Sequence, residues 1–260
     1  PDERASERCG LFVHIARAAL GASAYDAALE TAMAALRVDP SIPEAIEVVD
    51  GCSKHTEGGI DAIDEVYGQL AEAAMGNYGR RAAHYRAARQ LERLGALDRA
   101  MSHALEALEA VPNEGQTLAL VTHLAAEAGG STEASTVLER IAKRVGPVER
   151  SAWLLRAVGL APESERFDVL LRAFELCPEA VFAARLAESV PPDLEPSLHE
   201  RMLSRVSSAS ASSLRGLEGP DGARAAAHLS RALAKLGATE AAFDALDCAA
   251  TVDGDVEVYD

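Results

Sequence analysis

The chain has 260 residues, 25 of them basic and 41 acidic, for a formal net charge of −16. It is 48% apolar, which excludes a disordered polymer, and its negative excess excludes nucleic-acid binding as the main function, because phosphate is repelled almost everywhere. No run reaches the roughly 18 to 20 apolar residues that a membrane span needs.

Alanine supplies about one residue in five, and it is the strongest helix former. β-Branched residues are scattered, and no stretch alternates in the manner of a half-buried strand. The chain therefore reads as all-α. Apolar spacings of three and four, punctuated by Gly and Pro, predict fourteen helices over 5–21, 24–38, 43–54, 59–75, 79–94, 97–110, 115–128, 131–145, 148–160, 163–176, 179–189, 195–210, 221–236 and 239–250. The Ser- and Gly-rich stretch 207–222 predicts a flexible joint, followed by a C-terminal helix pair over 223–252 that serves as a cap. The acidic tail 253–260 is expected to fray.

Cys9, Cys52, Cys177 and Cys248 stand far apart, without a CxxC pair or a Cys/His cluster, so neither a metal nor any other cofactor is expected. Cys177 and Cys248 read as core thiols. The basic residues are almost all Arg, with only Lys54, Lys143 and Lys235, the bias of a GC-rich bacterial coding sequence. The chain opens at Pro1 with no apolar leader, as expected of a processed protein or a fragment, and the cytoplasm is the favoured compartment.

The sequence repeats itself. Gly95 and Gly129 are 34 positions apart, as are Ala100 and Ala134, and Ala28 and Ala62; Ala62 to Ala100 is 38, with the excess placed in Gly76-Asn77-Tyr78-Gly79. Each unit is a helix, a glycine-like reversal and a second helix. Phe12, Ala16, Ala28, Ala35 and Pro40 mark the first unit, and His84, Ala88, Gly95, Ala100, Ala107 and Pro112 the third. Leu118, Gly129 and Ala134 mark the fourth, and Trp153 and Ala157 the fifth. The unit around Ala62 is poor, with Asp50 where a small residue is expected. These residues resemble the tetratricopeptide repeat (TPR), a helical hairpin of about 34 residues. The resemblance covers 9–178 well and 179–252 loosely. It implies an α-α solenoid, a right-handed superhelix of about six to seven antiparallel helix pairs, with an array over 1–206. It also implies that the first helix of each hairpin lines a concave groove.

An enzyme would need a reactive group with a partner, and the chain has no GxSxG elbow, phosphate-binding glycine loop or HExxH. It is expected to be non-catalytic. Of seven histidines, His103 and His123 fall on helices of neighbouring units and can meet. Asp61 and Asp64 share a helix face, with Asp61 in the first turn where a carboxylate suits the helix dipole.

The irregular feature is a basic cluster: Arg80, Arg81, Arg86, Arg89 and Arg93, with Glu92 the one acid among them. Arg86, Arg89 and Arg93 share a helix face, flanked by Tyr85. The groove positions one unit on include Gln116, Ala119 and His123. Converging guanidinium groups can clasp a carboxylate or phosphate bidentately, and some TPR proteins hold a partner's C-terminal carboxylate with basic groove residues. The expected binding residues are thus Tyr85, Arg86, Arg89, Arg93 and His123, and the expected partner is a protein or peptide, with an acidic or C-terminal carboxylate group. The competing expectation is a solvated face whose arginines pair with acids on a neighbouring helix. Val181, Phe182 and Leu186 form a second candidate surface, with core packing the simpler use. A homodimer through the terminal repeats is open. So is a role as structural spacer in a larger multidomain protein, or as a ligand-binding or enzymatic domain without a recognisable motif.

Overall fold

A computed structural model describes residues 3–190, 195–215 and 217–253. Among these the regular structure is entirely helical, in fourteen α-helices. They are α1 (Glu3–Gly21), α2 (Tyr25–Leu36), α3 (Pro43–Cys52), α4 (Gly59–Ala73), α5 (Asn77–Arg93), α6 (Leu97–Ala110) and α7 (Gly115–Glu127). Then follow α8 (Thr132–Arg144), α9 (Pro147–Leu160), α10 (Arg166–Leu176), α11 (Ala180–Ser189), α12 (Pro196–Leu214), α13 (Gly219–Leu236) and α14 (Thr239–Asp253). One 3₁₀ turn, Ser53–His55, extends α3.

The repeat alanines do what their size allows. Ala16, Ala28, Ala35, Ala88, Ala100, Ala107, Ala134 and Ala157 are all fully buried, and a methyl group lets helix axes approach closely. Leu36, Leu91, Leu108, Leu124 and Leu154 fill the space around those seams. Gly95 and Gly129 hold φ of 76° and 74°, the left-handed conformation that ends a helix and reverses the chain. At the α1–α2 reversal Ser23 takes that role at φ 58°, which costs a residue bearing a Cβ more than it costs glycine.

The chain divides into two compact units, 1–128 and 129–260, so the division falls inside the fourth repeat. In the first unit each helix from α1 to α6 packs on its successor, and α1 and α2 also reach α3 and α4 respectively. In the second unit α8 packs on α9, α9 on α10 and α10 on α11. Beyond that the packing skips one helix: α10 meets α12, α11 meets α13 and α12 meets α14, while α13 and α14 form a closing hairpin turned at Gly237 (φ 87°).

The expected joint over 207–222 is largely helical instead. The helix α12 continues through Leu214, and α13 begins at Gly219. Ser210 is buried and its hydroxyl donates to the Val206 carbonyl at 2.8 Å, so this serine satisfies itself within the helix rather than breaking it. The tail residues 254–260 lie outside the described residues. Phe182 and Leu186 are fully buried core, and Val181 is exposed at the rim of a cleft of about 540 Å³ with Pro178, Leu217, Ala225 and Leu229. No described helix is long and apolar enough to cross a membrane.

Candidate functional site

The helix α5 buries Ala83, Ala87, Ala88 and Leu91, and this spacing of three and four turns Arg86, Arg89 and Arg93 outward together. Their side chains are not free. Arg86 Nη2 lies 3.7 Å from Asp50 Oδ2 on α3, and its guanidinium carbon stands 5.6 Å from the Tyr67 ring centre. Arg89 Nη1 meets Glu92 Oε2 at 2.6 Å within the helix. Glu92 also receives His123 of α7, whose Nε2 is 3.3 Å from its other oxygen. Arg93 donates to the Gln90 side-chain carbonyl at 3.5 Å, a neutral partner. Tyr85 flanks the face with Arg81 stacked over its ring at 5.6 Å, and Arg81 extends to Glu114 at 3.5 Å.

Arg86, Arg89, Arg93 and His123 are thus on one face, and Asp50 of α3 and Glu92 of α5 itself already pair with part of it. The side chains of Arg86, Arg89 and His123 nevertheless stay 59%, 44% and 56% exposed.

Asp50, the misfit of the repeat pattern, explains itself here. Tyr67 on α4 is fully buried, and its hydroxyl donates to Asp50 Oδ2 at 2.9 Å. A small residue at 50 would leave that hydroxyl without its acceptor. The Asp50 side chain is only 15% exposed, and burial pushes its carboxyl above the ordinary 3.8, opposed by hydrogen bonds from Tyr67 and Gln90 and by the charges of Arg86 and Arg93. Burial, with the Asp50 charge adding to it, pushes the Tyr67 phenol up as well.

A second cluster joins α4, α5 and α6. His84 Nδ1 and His103 Nδ1 are 2.8 Å apart, and His103 Nε2 lies 2.8 Å from Asp64 Oδ1. Arg99 Nη1 reaches Asp61 Oδ1 at 2.6 Å and Asp64 Oδ2 at 3.6 Å. His103 and His123 could meet from their helix positions, but His103 turns back to α4 and α5 while His123 pairs with Glu92. The repeat register carries the signal that was missed: Asp61 to Arg99 spans 38 residues, the same interval as Ala62 to Ala100. In the second unit the same device recurs, with Glu139 gripped by the Nε and Nη2 of Arg172 and Glu175 by those of Arg205.

Cys9, Cys52 and Cys177 are buried and all four cysteines are free. Burial first, then Glu179 beside it, pushes the Cys177 thiol up to about 12, so it is not a nucleophile at neutral pH. Among the described residues, no group of three or more His, Cys, Asp or Glu side chains is placed to hold a metal ion.

These hairpins, with alanine seams and left-handed glycine reversals, define an all-α protein of packed helix pairs. No protein-family profile matches the chain, and no curated protein matches it. Among solved structures it is similar to the TPR2AB domain of yeast Sti1 in its pHSP90 complex, at 15% identity and a TM-score of 0.32, over 97% of this chain and 93% of that one. It is also similar to Pseudomonas aeruginosa pilF, at 16% identity and a TM-score of 0.28 over 94% and 90%. A third likeness is to BtubC from P. vanneervenii, at 15% identity and a TM-score of 0.28 over 88% of each chain. These are loose superpositions, and nothing about binding passes through them to this chain.

Proposed function

We propose that the chain is a non-catalytic interaction module, whose α5 face receives a peptide or protein through an acidic or C-terminal carboxylate group. The observation that carries this is the outward row of Arg86, Arg89 and Arg93 beside His123, in a chain whose surface is otherwise dominated by acids. Guanidinium forks hold carboxylates bidentately; here Arg86 and Arg89 meet two carboxylates, Asp50 and Glu92, while Arg93 has the neutral Gln90. An incoming carboxylate takes the place of one of those two, so the expected binding is weak, fast and salt-sensitive.

The test is fluorescence titration with an acidic peptide bearing a free C-terminal carboxylate, and with its C-terminal amide. Wild type is expected to bind the free acid better, and Arg86→Ala with Arg89→Ala to lose at least about tenfold in affinity while keeping its helical signal. Equal binding by the double variant removes the site.

Such pairings favour a second reading, a structural spacer, because Arg17–Glu47, Arg86–Asp50 and His123–Glu92 tie α1 to α3, α3 to α5 and α5 to α7 without any ligand. A spacer retains no acidic peptide at all. Leu11 and Ile15, exposed one turn apart on α1, are the residues that a homodimer through the first repeat would use, and sedimentation at rising concentration measures it.

A further inference from the structure

The histidine pair between α5 and α6 has no part in the arginine face. Its chemistry follows from hydrogen positions. Asp64 can only accept from His103 Nε2, so that nitrogen carries hydrogen. With His103 neutral, its Nδ1 is then a bare lone pair, and the contact of 2.8 Å to His84 Nδ1 requires the hydrogen to come from His84. One proton added to the pair is tolerated, because it goes to His84 Nε2 and leaves both hydrogen bonds intact. A second must go to His103 Nδ1, and two N–H groups then point at each other across 2.8 Å.

We propose that Asp64, His103 and His84 form a proton-operated latch between α4, α5 and α6, closed while the two rings share at most one added proton and opened by the second. The surrounding charges are of both signs, and several already have partners. From α4, Asp61 and Asp64 face the pair and share Arg99 of α6. From α6, Glu106 favours a charged His84, while Arg80 of α5 opposes it. At and within α7, the N-cap residue Glu114 is drawn to Arg81 and His123 to Glu92, so neither compensates the pair. His103 is buried, so water does not replace the broken bond cheaply. Burial, and then its partner ring, hold the His84 pKa below 6.5.

The experiment compares urea unfolding of the full chain and of His84→Gln at about pH 7.5 and about pH 5. A glutamine side chain can donate its amide to a neutral His103 Nδ1 and present its carbonyl to a protonated one, so it serves both states. Wild type is expected to lose at least about tenfold more of its folding equilibrium constant than the variant over this interval, one pKa unit being tenfold. Equal losses overturn the latch. Proton NMR of the wild-type imidazoles tests it without any variant: the pair is expected to titrate in two separated steps. Two rings titrating together near their ordinary value would likewise overturn it.

Discussion

Asp50 carries a desolvation cost that Tyr67, Gln90, Arg86 and Arg93 only partly offset. Its folded pKa is raised above the unfolded 3.8, so the folded state binds the proton more tightly and this contribution to stability is present below 3.8. It is lost as pH rises through the folded value. Asp50→Asn keeps an acceptor for the Tyr67 hydroxyl and removes the charge. The urea midpoint of the variant is therefore expected to gain on that of wild type as pH rises from about 4 to about 7, and a constant difference would contradict the sign. The same substitution releases Arg86, so any acidic peptide bound at the α5 face should bind the variant more tightly. Gly95 poses a backbone question instead. At φ 76° a Cβ is strained although nothing lies within 4 Å of it, and Gly95→Ala is expected to cost about 1 kcal/mol in the same unfolding measurement.

Helices pack here through methyl groups, and that makes the seams intolerant of bulk. Ala100 of α6 is fully buried in the hairpin with α5, so Ala100→Leu must push helices apart or force poor rotamers, at a cost of about 1–3 kcal/mol. A midpoint unchanged within error would mean that the seam is looser than its burial indicates. The elements themselves were legible in sequence because their determinants are local. Pro43 and Pro147 open α3 and α9, Gly95 and Gly129 close hairpins, and alanines recur in phase. The helix expected to end at 210 runs on through Leu214, because serine composition signals a loop but a serine such as Ser210 can bond to its own helix. The site was legible only in part. The shared face of Arg86, Arg89 and Arg93 follows from helical spacing, whereas Asp50 to Tyr67 and Asp64 to His103 are contacts 17 and 39 residues apart. Such contacts follow only when the repeat register is used to align side chains, not just alanines.

Across the whole chain, charge sets the response to salt. With 41 acids and 25 bases, one-to-one pairing of every base still leaves 16 carboxylates without a cationic partner. The pairs that do form are mostly at the surface: Arg99 and Asp61 are 45% and 75% exposed, and a pair of that kind contributes about 0–1 kcal/mol. Salt weakens those attractions, but it also screens the repulsion among the excess carboxylates, which acts over the about 10 Å of a Debye length at 0.1 M. Repulsion involves more groups and no fixed geometry, so its relief is the larger effect. The midpoint of thermal unfolding is expected to rise between about 0.02 M and about 0.3 M NaCl at pH 7. A fall would show that ion pairs linking every second helix, such as Asp61–Arg99, Glu139–Arg172 and Glu175–Arg205, outweigh the net charge in holding each unit together.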